Sequence, residues 1–293
     1  MDAFPNKTGG GNASSPYIIE NLEIDAGGVN SCIWIKDTTK PLIIRNCTLN
    51  NSGSGAFDSG IRLENCNSIN ITECNISDNS MGVYTFTSSS INISKNNISS
   101  NDIHGVWFSY SSTNKIIDNE INGNSGSGIT LSLSNDNLIT KNVVSFNAQN
   151  GIFIDTFCQY NDIYQNSISS NTVLEAKDDG SLNKWDNDVM GNYWGNYTAS
   201  NPNATHDGFI WDTPYVIVGS ANARDNYPVV NFLGSHSIID IEGNTELIAF
   251  PDKTGGGTLI SPYLIQDLII SSRGGHFCIK LKDINIPLMI ENT

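Results

Sequence analysis

Charge is scarce in this chain: only 15% of its 293 residues are Asp, Glu, Lys or Arg, so neutral polar groups must wet its surface. Basic residues are scarcer still, 15 against 30 acidic ones, and the net charge of −15 repels phosphate backbones and anionic lipid while attracting cations. Nucleic acid is thereby excluded as a partner. No apolar run approaches the roughly 18 residues of a membrane span, so no transmembrane segment is expected. The start, MDAFPNKTGG, lacks the basic and apolar regions of a signal peptide, and the sequence is expected to be a piece of a longer precursor. None of the six cysteines forms a CxxC pair, which argues against a zinc knuckle and against a dense disulfide framework. Buried thiols are the expectation. Strong helix formers are few, while Asn, Ser, Thr and Gly crowd every stretch, which points to strands and turns.

What the sequence does contain is a repeat. Gly60, Gly82, Gly105, Gly128 and Gly151 recur and each opens a short strand: GIRLE, GVYTF, GVWFS, GITLS, GIFID. Ile71, Ile93, Ile116, Ile139 and Ile163 follow in step, then Ile76, Ile98, Ile121, Val144 and Ile168. Three alternating segments per repeat predict an all-β fold, a right-handed parallel β-helix of 22–24 residues per turn, in which every strand pairs with its copy one turn on. Asparagines recur at the same period: Asn96, Asn119, Asn142 and Asn166; Asn79, Asn101, Asn124, Asn147 and Asn171; Asn114, Asn137 and Asn161. Stacked amides at corners satisfy polar groups that would otherwise be costly, so these columns are structural. Cys47 and Cys74 take the Asn place in the first column, on adjacent turns, where a pair of small buried thiols and a disulfide are both readings.

The segment beginning PNKTGGG at Pro5 returns as PDKTGGG at Pro251, at a constant offset of 246 residues that matches Cys32 to Cys278 and Lys36 to Lys282. Residues 1–174 are therefore read as helix turns with an N-terminal capping segment, 175–232 as a cap, 233–249 as a linker and 250–293 as the truncated start of a second copy. In the cap region the period fails and aromatic residues gather, among them Trp185, Tyr193, Trp194, Tyr197, Trp211 and Tyr215. Such a cluster covers the open end of a solenoid core.

The turns together with DDGSLNKWDNDVMGNYWGNY from Asp178, DGFIWDTPYVI from Asp207 and DNYPVV from Asp225 resemble the NosD-like family, the carbohydrate-binding and sugar-hydrolase group of right-handed β-helices. The resemblance implies secreted or cell-surface, archaeal or bacterial proteins, with members in copper-enzyme maturation, polysaccharide processing and surface layers. A copper role needs clustered His, Met or Cys, and the four His, at positions 104, 206, 236 and 276, include no close pair. Family caps carry a loop, D-x-N-x-D-G-x-x-D, whose oxygens are spaced like a calcium loop. Asn201, Asn203, Thr205, Asp207 and Asp212 stand at the matching stretch, with two of the usual acids replaced, so calcium and a loop closed by Asx-type turns are both readings of it. No other cofactor is expected.

On the first strand of each turn, the residue after Gly and the one two further on should point inward: Ile61 and Leu63, Val83 and Thr85, Val106 and Phe108, Ile129 and Leu131, Ile152 and Ile154. Arg62, Tyr84, Trp107, Thr130 and Phe153 then face out, beside Glu64, Phe86, Ser109, Ser132 and Asp155. A strip carrying Arg62, Tyr84, Phe86, Trp107 and Phe153 suits a sugar ring or another protein, unless the irregular stretch from Asn50 to Asp58 folds over it. The first functional expectation is a non-catalytic extracellular or cell-surface module of a tandem array, binding glycan or a neighbouring cell-surface protein through that strip. The second is a carbohydrate-active enzyme, an epimerase, hydrolase or lyase, using Asp155 with Asp102 or His104.

Overall fold

The computed structural model describes residues 7–231 and, beyond them, the short segments 235–236, 239–242, 244, 253–254, 263–266, 269–270, 279–282 and 285–291. Asn6, His276 and Cys278 lie outside the described residues. The chain divides into two units, Met1–Val230 and Asn231–Thr293.

The first unit is a parallel solenoid with three sheet faces. Its first face runs through Ile33–Thr38, the start of Ser59–Thr72, Met81–Phe86, Val106–Ser109, Ile129–Ser132, Asn150–Ile154 and Leu174–Asp178, all paired parallel. The second begins with Tyr17–Glu20 and Leu42–Arg45 and stacks Ile71, Ile93, Ile116, Ile139 and Ile163 in register. The third, an 8-stranded sheet, stacks Leu49, Ile76, Ile98, Ile121, Val144 and Ile168 and ends on Trp194. Every residue assigned to the interior from alternation is buried, and each buried Ile removes about 1.5–3 kcal/mol worth of apolar surface from water. The glycine column opens these strands because backbone and core approach closely there. A Cβ on Gly82 would lie 2.4 Å from the Gly105 carbonyl oxygen and 2.4 Å from Ile98 Cγ2.

The corner between the second and third faces turns through one left-handed residue followed by a buried Asn: Lys95 before Asn96, Asp118 before Asn119, Lys141 before Asn142, Gln165 before Asn166. The reason is hydrogen-bond accounting. Asn119 Nδ2 donates to the carbonyl of Ile117 in its own turn (3.0 Å), to that of Ile93 in the turn before (2.8 Å) and to Asn142 Oδ1 (3.0 Å). Its own Oδ1 accepts from the backbone N–H (3.0 Å) and Nδ2 (2.9 Å) of Asn96. All three expected columns form, and each runs further than the sequence indicated: to Asn192, to Asn183 and to the Glu175 carboxylate. A fourth ladder links Cys66, Ser88, Ser111, Ser134 and Cys158 through backbone N–H donors to hydroxyl or thiol acceptors.

Cys47 and Cys74 are free thiols. Cys74 Sγ faces the carbonyls of Thr72 (3.3 Å) and Ile44 (3.9 Å), the two carbonyl positions an Asn uses elsewhere in the column. Each thiol acts on the other, lowering the pKa of Cys47 and raising that of Cys74.

The cap closes the far end. Trp185, Trp194, Tyr197 and Tyr215 are buried; Trp194 stacks on Tyr215 with centroids 4.1 Å apart, and Tyr197 stacks on Trp211 at 4.6 Å. Trp185 Nε1 donates to Asp178 (2.9 Å) and Trp194 Nε1 to Asp225 (2.8 Å).

In the second unit Lys253–Thr254 pairs antiparallel with Tyr263–Gln266, which pairs parallel with Leu288–Glu291. These are the partners of Lys7–Thr8, Tyr17–Glu20 and Leu42–Arg45 displaced by the offset of the sequence repeat.

Candidate functional site

Stacking in register turns the outward residues of the first face into two axial columns. One reads Trp34, Arg62, Tyr84, Trp107, Thr130, Phe153, Lys177. Its neighbour begins Lys36, Glu64, Phe86, Ser109, Ser132 and continues through Asp155 and Asp179. Six rung spacings of about 4.8 Å give the first column a length of about 29 Å.

The strip is not uniformly open. Tyr84, expected on the surface, is 3% exposed, because Phe57 from the irregular stretch stacks on its ring at 5.0 Å. Phe57 thus takes over the outward position and is 40% exposed. Burial also pushes the Tyr84 hydroxyl pKa up. Trp107 packs against Tyr84 (5.3 Å) and Phe57 (6.3 Å), and its Nε1 donates to Ser132 Oγ at 3.2 Å. Its indole is therefore held in place. Trp34, not singled out from sequence, is 53% exposed. Its signal was there to find, since it stands two residues after Cys32 as Arg62 stands two after Gly60. Arg62 lies over Trp34 at 4.5 Å and over Phe57 at 5.7 Å and is ion-paired with Glu64. Lys177 sits over Phe153 at 5.4 Å and is ion-paired with Asp179. Phe86 leaves this group and meets Tyr110 edge-on at 5.7 Å.

The three catalytic candidates are not brought together. His104 Nδ1 accepts from Ser127 N–H (3.1 Å) and Ser127 Oγ from Asn150 N–H (3.4 Å), so these residues stack in one column at the leading edge of the face. Asp155 stands two rungs on and five residues along the strand, about 10 Å axially and about 16 Å across. Asp102 is two residues earlier in the chain than His104, further along it from Asp155, and is exposed. Paired glycosidase carboxyls stand roughly 5–10 Å apart. His104 packs edge-on against Trp107 at 5.5 Å, and burial holds its pKa down. The ring is neutral at pH 7, and with Nδ1 accepting, its proton resides on Nε2.

The cap loop is closed by its own groups. Asp212 accepts from the Thr205 hydroxyl, from Thr205 N–H (3.0 Å) and from the Thr213 hydroxyl (2.9 Å); Asp207 Oδ1 accepts from the N–H groups of Phe209 and Ile210, both at 2.8 Å. These bonds hold both carboxyls below their ordinary range. Asn201 Nδ2 turns back to the Tyr197 carbonyl at 3.4 Å, and Asn203 is exposed. The geometry is that of an Asx-type turn. Among the described residues no group of three or more His, Cys, Asp or Glu is placed to hold a metal.

Compared with solved structures, the fold is similar to a variant of the periplasmic alginate epimerase AlgG (TM-score 0.46, 20% identity, covering 60% of this chain and 43% of the epimerase). It is also similar to an alginate lyase from Paenibacillus sp. FPU-7 (TM-score 0.49, 14% identity, 63% of this chain and 71% of the lyase). A third is the pectate lyase Pel9A (TM-score 0.43, 13% identity, 61% of this chain and 52% of that one). The chain thus spans less than half the length of the epimerase. A search of curated proteins gave no significant match. The sequence profile of the family described as periplasmic copper-binding protein (NosD) matches residues 10–199. Among the described residues the donor set does not fit a copper centre: His104 and His206 each spend Nδ1 on a backbone N–H and pack on a Trp ring, and the adjacent thiols Cys47 and Cys74 are buried with no third ligand beside them. With the turns, the asparagine columns and the aromatic cap all inside or adjoining the matched span, the chain belongs to the NosD family of parallel β-helix proteins.

Proposed function

We propose that this chain is a non-catalytic, extracytoplasmic module that binds glycan along the outer face of its first sheet. The observation that supports this is the axial column itself, in which Trp34, Phe57 over Tyr84, Trp107 and Phe153 stand at successive heights on a rigid surface, flanked by the cations Arg62 and Lys177. An aromatic face flanked by hydroxyls pairs with the C–H face of a sugar and leaves the sugar's own hydroxyls in water. The binding groups are preorganised: Trp107 is pinned by Ser132, and Arg62 by Glu64 and two rings, so little side-chain freedom is lost on binding. The separation of Asp155 from His104 argues against acid–base work on this face.

A glycan array and a reducing-end assay on the same protein test the reading. Binding that is lost in Trp107→Ala, with no product formed by either protein, is the expected pair of results. Turnover that disappears in Asp155→Asn would show that the face belongs to an enzyme.

A further inference from the structure

We propose that the glycan taken by this face is an extended, uncharged polymer of β-linked pyranoses lying parallel to the solenoid axis; this rests on the glycan-binding reading above and narrows it. Three observations converge on that class.

The first is spacing. Trp107 and Phe153 stand in one column with the single rung of Thr130 between them, two rungs or about 10 Å apart. Around the next corner a second aromatic line repeats the interval. The bonds from Ser111 N–H to Ser134 and from Ser134 N–H to Cys158 place Tyr110, Leu133 and Phe157 on successive rungs, so Tyr110 and Phe157 are again two rungs apart. Phe86, edge-on to Tyr110, joins the lines. In an extended β-linked pyranose chain alternate sugars present the same face, and the disaccharide repeat is also about 10 Å, two rungs of a parallel sheet. Each ring of a line then meets an equivalent sugar. An α-linked chain, which coils, loses that register.

The second is where the second line is built. Tyr110 and Leu133 have φ of +48° and +47°, a conformation that residues other than Gly, Asn and Asp seldom adopt. The same corner position holds Asn65 and Thr87 in earlier turns. Tyr110 is 55% exposed and Phe157 66%. Tyr110 thus occupies a left-handed corner that earlier turns fill with Asn or Thr, and neither ring is buried, so the core does not account for them.

The third is charge. Along the two outward columns the cations are Lys36, Arg62 and Lys177 and the acids Glu64, Asp155 and Asp179. Arg62 and Lys177 are already ion-paired, the face is balanced, and the whole chain carries −15. A polyuronate would be repelled.

Calorimetric titration of the full chain with four hexasaccharides tests the proposal: the neutral β-linked hexamers of glucose and of N-acetylglucosamine, the neutral α-linked hexamer of glucose, and the anionic β-linked hexamer of mannuronate. At least one neutral β-linked hexamer should bind about tenfold or more tighter than the α-linked and anionic ones, and Phe153→Ala should weaken it about tenfold, the value of one lost ring contact. Retention on an insoluble neutral β-linked glucan should fall similarly in Tyr110→Ala and Phe157→Ala, two exposed positions whose truncation leaves the core intact. Preference for the mannuronate or the α-linked hexamer would overturn this inference and leave the glycan-binding reading standing. Absence of heat and of retention with every glycan would overturn both.

Discussion

Replacing Asn119 with alanine should cost far more than its small volume suggests. The side chain supplies five hydrogen bonds, three donated and two accepted. Some partners survive the loss: the Ile117 carbonyl still accepts from Lys95 N–H, and Asn142 Oδ1 still accepts from the backbone N–H of residue 119. Asn96 N–H does not, because Asn119 Oδ1 is its acceptor, and Asn96 is buried. One buried donor without a partner costs about 1–3 kcal/mol, and each of two further bonds about 1 kcal/mol, so the expected loss is about 3–5 kcal/mol. Urea unfolding followed by circular dichroism measures it, with Asn97→Ala as the control. Asn97 is the exposed next-door residue whose side chain makes one long bond of 3.3 Å to Asn75, and its truncation should change stability by less than about 0.5 kcal/mol. An Asn119→Ala loss below about 1 kcal/mol would refute the claim that the ladder, rather than the strands alone, holds the corners.

Three further outcomes are expected of the same structure. Cys74→Asn should be tolerated within about 1 kcal/mol, since the carbonyls of Thr72 and Ile44 already face that position, whereas Cys74→Leu, which forces a larger side chain into a buried, close-packed column, should cost about 1–3 kcal/mol; thermal melts of the two variants decide it. Burial pushes the Asp225 carboxyl up from 3.8 to about 7 in the folded protein, so between those values the native state binds more protons than the unfolded one and stability falls as pH rises. Above about 7 the penalty is complete, below about 4 it is absent, and Asp225→Asn should flatten the melting temperature between pH 4 and 7 relative to the parent. A fragment ending at Val230, the limit of the first unit, should melt within about 3 °C of the full chain's first transition; a fragment that fails to fold would show that the first unit depends on the residues beyond Val230.

Much of this fold was written in the sequence because a solenoid converts identity at a fixed offset directly into contact. Ile71, Ile93 and Ile116 are neighbours in space for the same reason that they are 22 and 23 residues apart. Alternation then assigned the inside correctly, down to Thr85, which is buried despite its hydroxyl, but of the residues assigned outward Tyr84, Ser109 and Thr130 are buried as well. The surface was less legible. Phe57 covers Tyr84, and the loop that brings it has no period, so nothing in spacing placed that ring over that strand. Trp34 escapes the glycine column because its strand begins with Cys32 where later turns have glycine. Ser88, Ser111 and Ser134 form a ladder whose period is regular, but serine is so common here that a column of it carries little signal. In the cap, Asp207 and Asp212 have the composition of a cation loop, and the hydrogen bonds they accept from their own loop are invisible to spacing.

The cap motif is specific for a reason that lies in the ladders and not in any chemistry. Each rung sends its N–H to the Oδ1 of the next turn, so the last asparagine of every column needs an acceptor that no further turn supplies. The cap provides one for each: Asn192, Asn183 and the Glu175 carboxylate. Two of these then need partners of their own. Asn192 N–H donates to Asp225 (2.7 Å) and Asn183 Nδ2 to Asp178 (3.0 Å). Those same two carboxylates hold the indole N–H groups of Trp194 and Trp185, whose rings close over the open core. Ending the polar columns and covering the apolar end are thus one device, in which an acid takes the surplus N–H and the Trp bound to it seals the interior. Each part constrains the others, since a buried acid without its donors would be costly and a Trp without its acid would leave an N–H unpaired. That interdependence explains why the residues from Asp178 to Trp194, with Asp225, form a recognisable signature on a protein whose proposed binding surface lies elsewhere, on the outward columns of the first face.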